Sequence, residues 1–251
     1  MSEFADFATG GDASGYGLLD TRYAIYAVPP LGGPLKRLAD AWVGRDPDLR
    51  EPIPHPIIAE IPPDRLQAIT AAPRQYAFHG TLKAPFGLAE GAEAGALRDD
   101  LEAIAATMAP FAVRLHIADV DGFLALVPAE PSPELDDLAA ACVREFDRYR
   151  APLADEDRAR RRPERLSERQ RDYLERWGYP YVLEEFGFHM TLTDRLDEPE
   201  HGQVKAVLER FLAPVIAEPM RVADVALFAQ THRVAPFNVV ARFPLGRRRG
   251  A

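Results

Sequence analysis

Two copies of one short motif contain the residues best suited to chemistry in this chain. FHGTL spans residues 78–82 and FHMTL spans residues 188–192, so each copy offers an imidazole and, two positions later, a hydroxyl. A neutral imidazole can accept a proton and a protonated one can donate it, because a histidine pKa of about 6.5 leaves both states accessible. Threonine hydroxyls can donate hydrogen bonds to phosphate oxygens. Together the two copies predict one site for phosphoryl transfer without a metal.

Both motifs are predicted to be β-strands, on which side chains alternate between two faces. The apolar residues of each motif would then face the core, while the polar ones and a following cation would face a cleft. We predict that the two histidines act as general acid and base and that the polar neighbours bind the phosphate. The predicted catalytic residues are His79 and His189, and the predicted phosphate-binding residues are Thr81, Thr191, Lys83, Thr193 and Arg195.

Three further side chains are candidates for the cleft. Tyr23 and Tyr26 lie on opposite faces of the first predicted strand, so one of them could stack on a base or ribose, with core packing as the alternative. His232 stands in a predicted hairpin loop and could line the mouth of the cleft. His55, between two prolines, is predicted to be a loop residue and not a ligand, and His116 is predicted to be structural.

The chain repeats an order of elements after each motif. A helix with apolar residues on one face follows each histidine, ends at Pro110 or at Pro214, and is succeeded by two strands. HIADV at residues 116–120 corresponds to RVADV at residues 221–225. This internal duplication predicts two lobes that face each other.

The remaining segments frame these units. A strand over residues 22–30 and a helix from Pro34 to Gly44 precede them, followed by an irregular proline-rich stretch. A helical insertion over about residues 132–180 separates the units, with N-caps predicted at Ser132 and Ser167. Its charge run is predicted to be a solvated surface and not a nucleic-acid patch, because acidic residues interleave with the arginines. Residues 1–20 read as a flexible leader.

Composition limits the classes of protein to consider. The 251 residues are 47% hydrophobic and 27% charged, with a formal net charge of −9, which disfavours long nucleic acid as the main partner. The single cysteine, Cys142, excludes an intramolecular disulfide, and the histidines have no local metal-ligand spacing. No membrane span or signal peptide is predicted, so we expect a cytoplasmic protein with a small phosphorylated substrate, no metal and no cofactor; the oligomeric state stays open.

Two H-x-T-L motifs in a duplicated chain resemble the 2H phosphoesterase superfamily, which includes cyclic phosphodiesterases and 2′–5′ RNA ligase-like proteins. The segments RYAIYAVPP, YAFHGTLKAPFGLA and FGFHMTL also resemble a branch of phosphonate-metabolism proteins, over roughly residues 22–245. The resemblance implies an α+β, bilobal fold, with two pseudo-symmetric lobes of antiparallel sheet, outer helices and an active site in the central cleft. It carries over to His79, Thr81, His189 and Thr191.

The predicted organisation is one bilobal domain over residues 21–247, with repeat units at about 75–128 and 185–245. The predicted function is metal-independent hydrolysis of a small cyclic phosphate, ribose-based and part of phosphonate metabolism. One alternative is an RNA end-processing 2′,3′-cyclic phosphodiesterase or 2′–5′ ligase-like enzyme. A second is a phosphosugar- or nucleotide-binding protein without catalysis.

Overall fold

The computed structural model describes residues 21–246, so the predicted leader at residues 1–20 lies outside the described part. The described helices are α1 (Pro34–Val43), α2 (Pro63–Ile69), α3 (Ala71–Tyr76), α4 (Ala94–Thr107), α5 (Pro133–Glu145), α6 (Asp155–Arg160), α7 (Glu168–Trp177) and α8 (Glu200–Ile216). The described strands are β1 (Arg22–Ala27), β2 (Arg45–Asp46), β3 (Glu51–Pro52), β4 (Gly80–Gly87), β5 (Phe111–Val113), β6 (Leu115–Val120), β7 (Phe123–Pro128), β8 (Met190–Thr191), β9 (Met220–Val222), β10 (Asp224–Gln230) and β11 (Asn238–Pro244).

Within residues 21–246, seven strands form one antiparallel sheet in the order β11-β10-β1-β4-β8-β7-β6. The two motif strands, β4 and β8, are neighbours at its centre, where Gly80 pairs with Met190. We call the strands on the β4 side the first half and those on the β8 side the second half. The predicted α+β class with antiparallel sheet is confirmed.

The two halves exchange their hairpins. The hairpin β6–β7 follows the first motif in the chain but pairs with β8, whereas β10–β11 follows the second motif and reaches β4 through β1. Helix α4 packs on β10 and β11, and α8 packs on β6 and β7. The chain crosses between halves at the short β5–β9 ladder. Each half therefore combines one motif with strands from the other repeat unit.

The first strand separates two cores. Ile25 and Ala27 belong to the main hydrophobic core, which lies between the sheet and the helices. Ala24, Tyr26 and Val28 face the other side, where a smaller aromatic cluster gathers them with Tyr76, Phe228 and Phe237. Because successive strand residues alternate faces, β1 supplies both clusters, and the smaller one lies beside the first motif.

The helix ends that were predicted from sequence are partly confirmed. Ser167 caps α7 in a capping box with Gln170, as the sequence predicts, whereas Ser132 occupies the N-cap of α5 without a side-chain bond. The prediction that Pro214 ends its helix is wrong. Pro214 lies in the last turn of α8, where its missing N–H removes one helical bond, and the helix continues to Ile216.

The proline-rich stretch contains more structure than its composition indicates. It contains the short strands β2 and β3, and helices α2 and α3 follow it and lead directly to the first motif. Neither helix was predicted, because seven and six residues are fewer than the roughly 11 over which helical periodicity can be recognised. Among residues 21–246, no helix combines the length and apolar character needed to cross a bilayer.

Candidate active site

The two motif histidines are held in the same way. His79 and His189 each stand directly before their strand, and each ring places Nδ1 2.9 Å from the carbonyl oxygen two residues earlier, on Ala77 and Gly187 respectively. A carbonyl only accepts, so Nδ1 donates and the neutral imidazole carries its proton there. Nε2 of each ring is then the nitrogen that can exchange a proton with a ligand.

The backbone before the first histidine is strained. Ala77 adopts φ 64° and ψ 172°, a conformation that side chains other than glycine seldom take. This turn aims the Ala77 carbonyl at the His79 ring. Unusual backbone conformations often occur at functional sites, where the surrounding structure maintains them. The second motif has glycine at the corresponding position, Gly187.

His79 is buried and packed on one face. Its ring stacks on Tyr26 with centroids 3.7 Å apart and planes 23° apart, and its Nε2 lies 3.2 Å from the Thr81 hydroxyl oxygen. Tyr26 therefore contacts the site as one of the two tyrosine alternatives, while Tyr23 packs toward the main core. Stacking restricts the imidazole to one orientation.

His189 is half-buried and borders an open pocket. Its ring lies 5.7 Å from that of Phe123, at a 57° angle. Thr81 of the first motif lines the same pocket, so the structure brings the two motifs to one cavity. The cavity encloses about 710 Å³, including space open to solvent. Its other walls come from β4, from the β6–β7 turn and from residues 179–187.

The two threonines of the second copy, Thr191 and Thr193, lie in different surroundings. Thr191 is buried in β8, opposite Ala125 of β7. Thr193 is fully buried, and its hydroxyl oxygen accepts a hydrogen bond from the backbone N–H of Leu124 at 3.0 Å. The expectation that Thr193 faces the cleft is wrong, because β8 ends at Thr191 and strict alternation does not continue beyond it.

Lys83 also lies away from the cleft. A β-bulge makes Leu82 an extra residue, since Thr81 pairs with Tyr26 whereas Lys83 pairs with its neighbour Ile25. The Lys83 ammonium therefore lies under α5, 3.2 Å from the carbonyl oxygen of Val143. Burial lowers its pKa to about 8. The expected phosphate contact of Lys83 is not supported by this placement.

The remaining candidates lie at the edges of the site. Arg195 is exposed, beside the Asp121–Gly122 turn that helps to form the pocket. His232 is half-buried in the hairpin between β10 and β11. His55 lies in the loop after β3, with its Nδ1 2.9 Å from the carbonyl oxygen of Trp42, and His116 is exposed on β6.

One wall of the pocket was not predicted from sequence, namely the aromatic wall at the end of the insertion. Tyr179, Tyr181 and Phe186 line the pocket and face both motifs across it. The signal was the Gly- and aromatic-rich run GYPYVLEEFGF directly before the second histidine. In the described range, no group of three His, Cys, Asp or Glu side chains is placed to hold a metal ion.

Comparisons with known proteins place this geometry in context. The family described as "Protein of unknown function (DUF1045)" matches residues 81–238. A protein of Janthinobacterium sp. (strain Marseille) described as ribose 1,5-bisphosphate phosphokinase PhnN is 37% identical over 229 residues, covering 89% of this chain and 51% of that protein. A protein of the same description from Laribacter hongkongensis (strain HLHK9) is 35% identical, covering 87% and 50%. The chain thus spans about half the length of these relatives.

Solved structures show only distant similarity. A crystal structure of E. coli LigT complexed with NADP+ matches with a TM-score of 0.44 and 16% identity, covering 91% of this chain and 99% of that one. A structure described as a phosphoesterase matches with a TM-score of 0.42 and 14% identity, covering 90% and 99%.

Proposed function

This chain belongs to the DUF1045 family, and from its paired motifs we propose that it is a metal-independent phosphodiesterase of the 2H type. The observation that carries the proposal is the matched Nδ1 anchoring of His79 and His189, which gives both neutral rings the same tautomer, together with the pocket that Thr81 of the first motif and His189 of the second both line. An acid and a base from different strands suit an in-line displacement at phosphorus.

In the proposed reaction, one neutral imidazole takes a proton from water as the water oxygen attacks phosphorus. The other, protonated imidazole gives a proton to the leaving oxygen, so that one P–O bond forms, another breaks, and the cyclic diester becomes a monoester. Thr81 and Thr191 donate hydrogen bonds to the non-bridging oxygens as their charge develops. The Nδ1 bonds to Ala77 and Gly187 hold each ring in the tautomer that this exchange requires.

We propose a small ribose-based cyclic phosphate of phosphonate metabolism as the substrate. The resemblance to phosphonate-metabolism proteins supports the pathway, and the ribose phosphate named for the two bacterial relatives supports the sugar. We do not assign their kinase activity to this chain, because it contains no G-x-x-x-x-G-K-[S/T] phosphate-binding loop and matches only half of each relative.

RNA end processing is the second candidate, favoured by arginines of the insertion that lie near the pocket. The Arg161 guanidinium carbon lies 4.7 Å from the centre of the Tyr179 ring, which lines the cavity. Filter binding at several salt concentrations separates the candidates. A steep salt dependence would indicate the many phosphate contacts of an RNA substrate, whereas a shallow one would favour a small molecule.

The direct test compares His79→Ala and His189→Ala with His116→Ala, a control on the exposed face of β6. Hydrolysis of nucleoside and ribosyl cyclic phosphates is measured with and without excess EDTA. We expect each motif variant to lose about 10²–10⁴-fold in kcat, and the control to keep its activity. Near-parental turnover by either motif variant, or full loss in EDTA that a divalent metal restores, would contradict the mechanism. Binding of a cyclic phosphate without any product would instead favour a non-catalytic binding protein.

A further inference from the structure

One carboxylate of the second half holds the helix that leads to the histidine of the first half. Asp194 lies three residues after β8 and is half-buried. It has no role in the reaction proposed above. Its side chain contacts α3, the six-residue helix that ends immediately before Ala77.

The side chain of Asp194 accepts hydrogen bonds at the beginning of α3. The backbone N–H of Ala72 donates to its Oδ1 at 3.1 Å, and the N–H of Ala71 donates to the same carboxylate. The first N–H groups of a helix have no partner within the helix, and a negative charge beside them is stabilising. Asp194 therefore supplies from a distant part of the chain the acceptor that an N-cap side chain usually supplies.

The hydroxyl of Thr70, the residue at the N-cap of α3, is directed elsewhere. It donates to the carbonyl oxygen of Leu66 at 2.7 Å, at the end of the preceding helix. Burial raises the pKa of Asp194, because it removes the charge from water, and the N–H groups of Ala72 and Ala71 oppose this rise. The carboxylate is thus withdrawn from water toward the beginning of α3.

The backbone after the second motif is fixed at the same place. The N–H of Asp194 donates to the carbonyl oxygen of Ile69 at 2.6 Å, next to the α2–α3 junction. Nε1 of Trp42, in α1, donates to the carbonyl oxygen of Leu192 at 2.9 Å. These two bonds give the Asp194 carboxylate a defined position relative to α3.

The other end of α3 reaches the first histidine. The helix ends at Tyr76, and the next residue is Ala77, whose carbonyl oxygen lies 2.9 Å from Nδ1 of His79. The backbone N–H of Phe237 donates to the Gln75 carbonyl at 2.8 Å, so the hairpin also holds this end. A shift of α3 would move the Ala77 carbonyl and with it the imidazole. Misplacement of a catalytic group by about 1 Å can cost on the order of 10²-fold in rate.

His189 is anchored independently of α3, because its Nδ1 partner is Gly187 of the segment before β8. We infer that Asp194 is a positioning residue for His79. By capping α3 it fixes the turn at Ala77, and so it holds the first histidine in the tautomer and the orientation that proton transfer requires. The inference deepens the proposed function, and its kinetic consequence rests on that function.

Steady-state kinetics on one cyclic phosphate test this consequence. Asp194→Ala should lower kcat about 10- to 100-fold and change KM less than about twofold, because the pocket residues Thr81 and His189 stay in place. Asp194→Asn should keep kcat within about threefold of the parent, because its amide oxygen can accept the same hydrogen bonds. The control Val207→Ala truncates a buried side chain of α8 and should lower stability to urea without lowering kcat. Parental kcat in Asp194→Ala, or equal losses in Asp194→Asn and Asp194→Ala, would overturn the inference.

A spectroscopic measurement separates this inference from the reaction. The side-chain nitrogen NMR shifts of the two histidines report which ring nitrogen carries the proton when the rings are neutral. In the parent we expect the proton on Nδ1 of both rings. Asp194→Ala should move His79 toward the tautomer with the proton on Nε2 and leave His189, the internal control, unchanged.

That result supports the inference even if no cyclic phosphate is hydrolysed, in which case only the proposed function fails. Unchanged shifts of His79, or equal changes in both histidines, would overturn the inference. If Asp194→Ala does not fold, Asp194→Glu takes its place in both experiments, because the longer side chain displaces the carboxylate from the N–H groups of α3.

Discussion

The two halves of the sheet hold the same histidine in different surroundings. His79 precedes an eight-residue strand, is buried, and stacks on Tyr26, whereas His189 precedes a strand of two residues and is half-buried beside the pocket. Only the Nδ1 anchors are alike. Both copies of the motif therefore retain the backbone carbonyl that fixes the tautomer of the histidine. The side chains that control the exposure and the orientation of the ring differ between the copies. The two histidines are equivalent in chemistry but not in environment.

The junction of the halves shows the same divergence. Gly80 of the first motif pairs with Met190, which occupies the corresponding position of the second motif. A Cβ at Gly80 would lie 2.3 Å from the ring of Phe188, a residue of the second motif. The first motif thus has glycine because the aromatic ring of the second motif needs that space.

The largest expected effect tests whether the histidines differ in role. We expect the parent enzyme to show a bell-shaped dependence of kcat/KM on pH, with one limb from the base and one from the acid. His79→Gln and His189→Gln should each lower kcat by about 10²–10⁴-fold and should each abolish a different limb. Profiles measured on one cyclic phosphate check this. Loss of the same limb in both variants would contradict a division of roles between the two halves.

The threonines of the second half test which of its hydroxyls reaches the phosphate. Thr191→Val should lower kcat by about 10²–10³-fold with little loss of stability, because it removes one donor to the developing charge. Thr193→Val should instead lower the free energy of unfolding by about 1–3 kcal/mol, since the buried N–H of Leu124 loses its acceptor. Steady-state kinetics and urea unfolding measure the two effects. A larger activity loss in Thr193→Val than in Thr191→Val would indicate that the Thr193 hydroxyl contacts the substrate.

Gly80→Ala tests the close contact between the halves. We expect it to lower the free energy of unfolding by about 1–3 kcal/mol or more, because the new methyl group would overlap the ring of Phe188. Gly95→Ala is the matched control: it lies in α4 with no atom near its Cβ position and should stabilise the protein by about 0.5–1 kcal/mol. Both are measured by urea unfolding. Equal effects of the two changes would contradict the contact.

The cations that follow the motifs give an effect that is confined to alkaline pH. Burial lowers the pKa of Lys83 to about 8 in the folded protein, against about 10.4 when unfolded. The unfolded chain then binds more protons between these values, so the contribution of Lys83 to stability rises as pH increases from about 8 to 10.4. The stability of the parent relative to Lys83→Met should rise over this window, by up to a few kcal/mol. Urea unfolding of the parent and of Lys83→Met at several pH values between about 8 and 10.4 checks this, and a stability difference that does not change with pH would contradict the burial of the ammonium.

Much of the candidate site could be predicted from sequence, and the predictions that failed share one cause. The pairing of His79 with Thr81 and the use of His189 follow from short-range spacing, which the backbone preserves. Lys83 and Thr193 were placed by continuing strict alternation, which a bulge interrupts in β4 and which the short length of β8 ends. Neither irregularity has a sequence signature, because each depends on what packs against the strand.

The sequence by itself determined most of the longer helices and strands, the duplication and the identity of the two imidazoles, because these depend on local periodicity and on residue type. Only the tertiary structure decided which elements meet. The exchange of β6–β7 and β10–β11 between halves, the aromatic wall from the insertion and the stacking of Tyr26 on His79 all join residues far apart in the chain. Such contacts arise from burial and packing over the whole molecule, which no local pattern records.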